Sequence, residues 1–177
     1  MVWMNSRRNV QLAHYVGTCG VVFGVAVGLL AHLTAAAAQD NDKVKAGLEV
    51  WKKSGCAECH GSFADGEKQR DEAPTGANLR TARLDTAALK LVISCGKPGG
   101  AGMPAFDEGA YKVRACYGRP LGGPPDNLYP AGTTLTPDEI DAVIVYLQAR
   151  VIGRGRITKE ECLFYYADRP DECDDIK

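Results

Sequence analysis

The sequence predicts an all-α fold. Three segments carry helical signals, at 43–53, 86–95 and 137–151, and no segment shows the alternation of apolar and polar residues that is typical of a strand. Because three apolar helix faces make only a thin core for a chain of 177 residues, we expect the helices to pack around an additional group.

The first predicted helix covers 43–53. Four of its residues recur at i, i+3, i+4 and i+7 and therefore share one face: Val44, Gly47, Leu48 and Trp51. Ser54 and Gly55 follow it. Glycine suits the left-handed position that commonly ends a helix, so we place the end of the helix there.

The second predicted helix covers 86–95, after a polar, glycine-rich loop over 61–83. Asp85 is a suitable N-cap, because its carboxylate can accept hydrogen bonds from the free amide groups of the first turn. Gly96 and Pro98 end this helix.

The clearest helical signal is at 137–151, where Thr136 and Glu139 form a capping box. It follows a loop over 96–136 with many glycines and prolines, and a loop of this length usually carries function or wraps around another group. Its apolar stripe consists of Ile140, Val143, Ile144 and Leu147.

The C-terminal residues predict one more short helix. A second capping box, Thr158 with Glu161, indicates that this helix lies near 159–167. The acidic end of the chain, 171–177, is expected to be a surface tail.

The N-terminal residues differ in kind from the rest. Arg7 and Arg8 precede an almost wholly apolar segment at 16–30, and an alanine run ends at Ala38. This order is typical of a secretory signal peptide, so we predict a signal peptide over 1–38, export and a periplasmic location. The alternative is an uncleaved membrane anchor, although the apolar segment is short for a spanning helix of about 20 residues.

Composition and charge exclude several classes of protein. Charged residues are 24% and hydrophobic residues 45%, which fits a globular chain, and a net charge of −1 argues against a nucleic-acid partner. Without the two arginines of 1–38, 19 basic and 22 acidic residues remain, a net charge of −3. An even number of cysteines, six, also remains. In an exported chain this suggests that every one of them forms a covalent bond through its sulfur.

Cys56, Cys59 and His60 form the pattern C-x-x-C-H, which is the attachment signature of c-type haem. Thiols three residues apart lie on one helical turn and can reach the two vinyl groups of one porphyrin edge, while His60 points at the iron. We therefore predict one covalent haem c. The alternatives are a zinc site, which would need a second close Cys or His pair, a thioredoxin-like redox pair, which would need a βαβ context, and a chance match.

Met103 is predicted by elimination to be the second axial ligand. After residue 38, His60 is the only histidine and Met103 the only methionine. The glycines before Met103 let the backbone approach the haem face, and Pro104 fixes the backbone after it. The alternative is that Met103 fills the core and the iron is open.

Ligation by His60 and Met103 would fill both axial positions, and a thioether raises the reduction potential. Such a site suits the transfer of single electrons and not oxygen or peroxide chemistry. We therefore predict an electron carrier and not an enzyme, with no catalytic residues. His60 should donate its other ring N–H to a backbone carbonyl; residues 76–79 are the predicted source, and an ordinary turn there is the alternative.

These motifs resemble those of class I cytochromes c. Residues 56–60 (CAECH) match the haem motif, and residues 102–106 (GMPAF) match the loop of the methionine ligand. Residues 76–79 (GANL) are similar to the GPNL segment of that family, but Ala77 replaces the proline whose carbonyl usually holds the histidine.

The helices extend the resemblance to 43–150. Gly47 and Trp51 resemble the glycine and aromatic residue of the family's first helix. Tyr146, with Ile144, lies in what resembles its last helix, which crosses the first. The resemblance implies a cytochrome c fold, a small helical domain around one haem, and we assign this domain to 39–152.

Four further cysteines depart from the family pattern: Cys95, Cys116, Cys162 and Cys173. We predict disulfides between sequence neighbours, Cys95–Cys116 and Cys162–Cys173, one of three possible pairings. The first would clamp the ends of the Met103 loop, and the second would staple a C-terminal extension at 153–177. Each is expected to add about 2–4 kcal/mol; four free thiols are the alternative.

A cytochrome with four additional cysteines and such a tail resembles the c-type cytochromes related to methanol metabolism. The resemblance implies a pyrroloquinoline-quinone (PQQ) alcohol or methanol dehydrogenase as electron donor and a cytochrome or oxidase as acceptor. It implies membrane contact only if the N-terminal segment is retained.

Three functions therefore compete. The first is a soluble periplasmic electron shuttle. The second is a fixed haem subunit of a membrane or periplasmic dehydrogenase or oxidase complex, with residues 107–136 and the tail as the interface. The third is a haem enzyme or gas sensor with an open iron, which carbon monoxide binding would support.

Overall fold

The computed structural model describes residues 40–99 and 102–176, and the predicted signal peptide lies outside the described residues. Within these ranges the elements are α1 (40–53), α2 (Cys56–His60), α3 (Thr86–Cys95), α4 (Pro137–Arg150), α5 (Lys159–Tyr165) and a 3-10 helix (Pro170–Cys173). Extended pairing in the described ranges is limited to isolated bridges. The all-α prediction is confirmed.

Helices α1 and α4 cross at a glycine. A Cβ at Gly47 would lie 2.1 Å from the carbonyl oxygen of Ala142 and 2.6 Å from the Cβ of Tyr146, so the crossing has no room for any larger residue. The ring centroids of Trp51 and Tyr146 are 6.2 Å apart, and both side chains are buried. The crossing implied by the family resemblance is therefore present.

The helix ends follow the predicted signals closely. The carboxylate of Asp85 accepts a hydrogen bond from the Ala88 N–H at 2.8 Å, and both predicted capping boxes are formed. Helix α4 ends one residue and α5 two residues before the predicted ends. At the end of α5, Tyr166 leaves the helical conformation, with φ −104° and ψ 49°, and its ring packs edge-on against Phe63.

One main apolar cluster joins buried residues of α1, α3, α4 and α5. Cys56, Phe63 and Met103 pack against its edge and are only partly buried. A second, smaller cluster contains Cys95, Ala110, Tyr111 and Cys116. Met103 thus packs against the main cluster, and Ala105, two residues later, packs against the smaller one.

The C-terminal residues are more ordered than the sequence predicted. Asp171, Glu172, Asp174 and Asp175 are exposed, as expected of a surface segment. However, Pro170–Cys173 is a 3-10 helix and Cys173 is fully buried. The reason is covalent, since Cys173 is bonded to Cys162 with the two Cα atoms 5.7 Å apart. Residues 42–177 form one compact unit.

No helix within 40–99 and 102–176 combines the length and the apolar character needed to cross a membrane.

Candidate functional site

The C-x-x-C-H motif forms a helical turn of its own. Gly55 adopts φ 73° and ψ 14°, a left-handed conformation that favours glycine, and this turn separates α1 from α2. Cys56, Cys59 and His60 then lie on the five residues of α2. Cys56 and Cys59 take part in no disulfide, so both thiols are available for thioether bonds.

The loop after α2 is held against the end of that helix. Three consecutive carbonyl oxygens accept backbone N–H groups of the loop: Glu58 from Gln69 (3.1 Å), Cys59 from Gly76 (2.8 Å) and His60 from Gly66 (2.7 Å). A helix end otherwise leaves such carbonyls unpaired. Arg70 adds an ion pair with Glu58 at 2.9 Å, so the loop wraps closely around the motif.

The His60 ring is fixed by a backbone carbonyl. Its Nδ1 lies 2.9 Å from the carbonyl oxygen of Ala77, and because a carbonyl only accepts, Nδ1 carries the hydrogen. The prediction that residues 76–79 hold the ring is confirmed. Replacement of the family's proline by Ala77 does not matter here, since the acceptor belongs to the backbone.

The remaining ring nitrogen of His60 is suited to a metal. Burial lowers the pKa of His60, and the hydrogen bond to Ala77 opposes this effect. A pKa below the usual value of about 6.5 keeps the imidazole neutral at pH 7. Neutral imidazole with Nδ1 donating presents the lone pair of Nε2, which is the form that binds iron.

Gly76 forms a cradle for the His60 ring. A Cβ at this position would lie 2.6 Å from Nδ1 of His60 and 2.8 Å from the carbonyl oxygen of Cys59. The turn therefore passes as close to the ring as a backbone can. The sequence analysis placed Gly76 in the segment that holds His60, but it did not predict that the absence of a side chain there is required.

The two thiols fit thioether bonds better than metal coordination. Burial raises the pKa of Cys56 to about 12, and burial followed by the charge of Glu58 raises that of Cys59. Zinc needs thiolates, whereas a thioether is neutral and carries no charge into a buried position. Within the described ranges, no group of three or more His, Cys, Asp or Glu side chains could hold a metal ion.

Met103 forms an isolated antiparallel bridge with Lys97 and packs against the main cluster, which Cys56 also contacts. Its carbonyl oxygen accepts the Lys97 N–H at 2.9 Å. A Cβ at Gly102 would lie 2.7 Å from the Lys97 carbonyl oxygen and 3.0 Å from that of Asn127. This close approach of three backbone segments thus requires glycine next to the predicted sulfur ligand.

The structure contains both disulfides whose pairing was predicted. Cys95 is bonded to Cys116 and Cys162 to Cys173, with 5.7 Å between the Cα atoms of each pair. All four cysteines are at most 1% exposed. Both bonds therefore lie within the fold and not on its surface.

Arg80 is a buried residue near the motif that sequence reasoning missed. It is 3% exposed, and its guanidinium donates to the carbonyl oxygens of Gly155 (2.5 Å) and Arg156 (2.9 Å). It also donates to Glu161 at 2.7 Å. These partners lie far away in sequence, so no local pattern could have revealed the burial of this charge.

Aromatic rings pack against His60 and against the loop that follows it. The ring centroids of Trp51 and His60 are 6.0 Å apart, and those of Phe63 and Tyr165 are 5.3 Å apart. Tyr165 and Tyr166 pack edge-on at 4.8 Å. Helix α5 therefore contributes apolar contacts to the loop that follows the motif.

Comparison with protein families gives one match. The family model described as cytochrome c oxidase, cbb3-type, subunit III matches residues 42–114. This region contains Cys56, Cys59, His60 and Met103 and ends before α4. Comparisons with curated proteins and with solved structures found no match.

The match and the helical architecture together show an all-α cytochrome c fold. The match supports a c-type cytochrome over the matched residues. A cytochrome c domain implies electron transfer by covalently bound haem c.

Proposed function

We propose that this chain is an exported monohaem c-type cytochrome that carries single electrons. One observation carries the proposal: the turn of α2 presents Cys56 and Cys59 beside His60, whose Nδ1–H donates a hydrogen bond to the Ala77 carbonyl oxygen. Two thiols and one oriented imidazole on one short helix match the requirements of one covalent haem. The haem supplies an iron that cycles between two oxidation states differing by one electron.

Each site residue has a distinct role in this proposal. Cys56 and Cys59 hold the porphyrin through thioether bonds, and His60 binds the iron through Nε2. Ala77 and Gly76 orient the imidazole. Because the backbone holds the ring, the imidazole would keep its orientation toward a bound iron in both oxidation states.

Met103 is the proposed sixth ligand. It is partly buried at the cluster that also contacts Cys56, and its carbonyl oxygen is held by the hydrogen bond from the Lys97 N–H. Thioether ligation excludes small molecules from the iron and raises the potential. The chain is therefore proposed to be a carrier and not a haem enzyme or gas sensor.

The proposed location is the periplasm, with residues 1–38 removed as a signal peptide. The proposed donor is a PQQ-dependent alcohol or methanol dehydrogenase, and the proposed acceptor is a cytochrome or oxidase. The four additional cysteines and the C-terminal extension support this choice of donor, because they are what resembles the cytochromes related to methanol metabolism.

A second candidate function is that of a fixed haem subunit in an oxidase or dehydrogenase complex. The observation that favours it is the matched family model, whose description names a subunit of a cbb3-type oxidase. Gel filtration of a native extract separates the two functions. A free haem protein of the mature mass supports the shuttle, and exclusive elution with a larger complex supports the fixed subunit.

Haem attachment is tested by expression in a periplasm that attaches c-type haem. We expect the wild-type pigment to resist acidified acetone and the Cys56→Ala/Cys59→Ala variant to lose covalent haem. Cys19→Ala is the matched control, because this cysteine lies in the predicted signal peptide and should not affect attachment. A colourless or extractable wild-type product would contradict the proposal.

Axial ligation is tested with carbon monoxide on the reduced protein at neutral pH. We expect the wild type to bind none and Met103→Ala to bind it readily, because loss of the thioether opens one coordination position. Carbon monoxide binding by the wild type would instead favour the haem enzyme or gas sensor.

A further inference from the structure

The end of α3 is joined to the residues that follow Met103 by an unbroken series of hydrogen bonds. Four consecutive carbonyl oxygens accept: Ile93 from the Phe106 N–H (3.0 Å), Ser94 from the Asp107 N–H (3.2 Å), Cys95 from the Tyr111 hydroxyl (3.0 Å) and Gly96 from the Tyr117 hydroxyl (2.6 Å). A helix end usually leaves its last carbonyls unpaired. Here two backbone amides and two tyrosine hydroxyls satisfy them.

Both tyrosines have a backbone conformation that bulky residues rarely adopt. Tyr111 has φ 60° and Tyr117 has φ 53°, and such conformations persist only where the surroundings impose them. The disulfide between Cys95 and Cys116 anchors the loop directly before Tyr117. Tyr111 is 1% exposed, whereas Tyr117 is 44% exposed, so burial alone does not explain why both hydroxyls point at α3.

The carbonyls that the tyrosines hold are next to the Met103 backbone. A Cβ at Gly96 would lie 2.5 Å from the carbonyl oxygen of Met103 and 2.8 Å from the Ala105 nitrogen. Ala105 also packs against the small cluster that contains Tyr111. Any movement of Gly96 therefore changes its close approach to the backbone of Met103 and of the two residues that follow it.

We infer that Tyr111 and Tyr117 are positioning residues that hold the Met103 backbone so that its sulfur stays on the iron. The inference rests on the proposed function, in which Met103 is the sixth ligand. The tyrosine hydroxyls donate to the carbonyls of Cys95 and Gly96 and act on Met103 through them. Without a hydroxyl, the segment that carries Met103 opens more often, and the iron becomes accessible to other ligands.

Imidazole provides the test, because it binds the ferric haem protein only when the methionine sulfur is displaced. The apparent affinity of a ligand for a state that is rarely populated is proportional to the population of that state. Tyr117→Phe removes only a hydroxyl from a half-exposed ring. We expect it to raise the apparent imidazole affinity about fivefold, the factor that corresponds to one net hydrogen bond.

A spectroscopic signature accompanies this change. The far-red absorption band of ferric iron bound to methionine sulfur should disappear at about fivefold lower imidazole in Tyr117→Phe. Tyr129→Phe is the matched control: it removes a phenol hydroxyl from the same long loop, and that hydroxyl meets the Arg70 guanidinium at 3.5 Å and not α3. Its imidazole affinity should equal that of the wild type.

Two failures have different signatures. If Tyr117→Phe and Tyr111→Phe lower the denaturant midpoint but bind imidazole as the wild type does, the hydroxyls serve stability alone and the inference is wrong. If the wild type itself lacks the far-red band and binds imidazole as tightly as Met103→Ala, the proposed ligation by Met103 is wrong. Tyr117→Phe keeps the test decisive even if the buried Tyr111→Phe variant does not fold.

Discussion

At the scale of single residues, the orientation of His60 depends on the absence of a side chain at Gly76. The hydrogen bond from Nδ1 reaches the Ala77 carbonyl because Gly76 lets the turn pass directly over the ring. The N–H of Gly76 also donates to the Cys59 carbonyl oxygen at 2.8 Å. One glycine thus allows both contacts that join the loop to the proposed haem ligand.

Gly76→Ala should therefore destabilise the fold. Its Cβ would meet Nδ1 of His60 at 2.6 Å, so either the ring or the turn must move, and overpacking of this kind costs about 1–3 kcal/mol. Denaturant unfolding of the haem protein measures this loss. Gly132→Ala is the control, since a Cβ there meets nothing within 4 Å and should change the stability by less than about 0.5 kcal/mol. Equal midpoints for both variants would contradict the expected role of Gly76.

The sequence predicts the chemistry of single residues better than their packing. Cys56, Cys59 and His60 are evident because covalent attachment demands a fixed local spacing. Gly76 and Arg80 are not, because their roles depend on atoms brought close by the loop and by α5. A close approach between distant segments leaves no periodic signal in a single sequence.

At the scale of elements, α4 is tied to α1 by charge as well as by the Gly47 crossing. Glu139 forms an ion pair with Lys53 and closes the capping box with Thr136. The hydrogen bond from Lys53, followed by those from Thr136, lowers the pKa of Glu139 from 4.5 to about 2. The carboxylate is therefore stabilised specifically in the folded state.

This shift predicts how stability depends on pH. Because the folded pKa of Glu139 lies below its unfolded value, its contribution is complete above pH 4.5 and is lost as the pH falls towards about 2. Glu139→Gln keeps the capping geometry and removes the charge. We expect it to be less stable than the wild type at pH 7, with the difference vanishing near pH 2.

Glu160→Gln is the matched control in this titration. Glu160 also forms an ion pair, with Arg150 at 3.2 Å, but its side chain is 83% exposed, and exposed pairs contribute little. Its unfolding midpoint should follow that of the wild type at every pH. A Glu139→Gln curve parallel to the wild type from pH 7 to 2 would show that Lys53 does not hold the carboxylate.

The helices themselves follow from local signals. Asp85, Thr136 and Thr158 each begin a helix where the sequence predicts it, because a capping side chain acts within one turn. Helix ends are less well predicted: α5 ends at Tyr165 since the ring of Tyr166 finds partners outside the helix. The 3-10 helix at Pro170–Cys173 was missed, because it depends on the disulfide to Cys162 and not on periodicity.

At the scale of the whole molecule, the C-terminal extension and the loop at 61–83, here called the haem loop, depend on each other. Arg80 belongs to this loop and Glu161 to α5, and their side chains are 3% and 15% exposed. The ring of Phe63, also in this loop, packs against the ring of Tyr165 in α5. The extension therefore completes the enclosure of the loop that orients His60.

Arg80→Met should uncouple these two parts. The change removes the guanidinium that pairs with the mostly buried Glu161. It also removes the donor for the carbonyl oxygens of Gly155 and Arg156. Removal of one partner of a buried pair costs about 3–5 kcal/mol. Lys159→Met is the control: it breaks the pair with Asp174, whose side chain is 77% exposed, and should cost less than about 1 kcal/mol.

Denaturant unfolding followed by both helical circular dichroism and haem absorbance measures the loss of stability. The two signals should change together in the wild type because residues 42–177 are one compact unit. If Arg80→Met were as stable as the control, Arg80 would not join the extension to the haem loop, and the two parts would be independent.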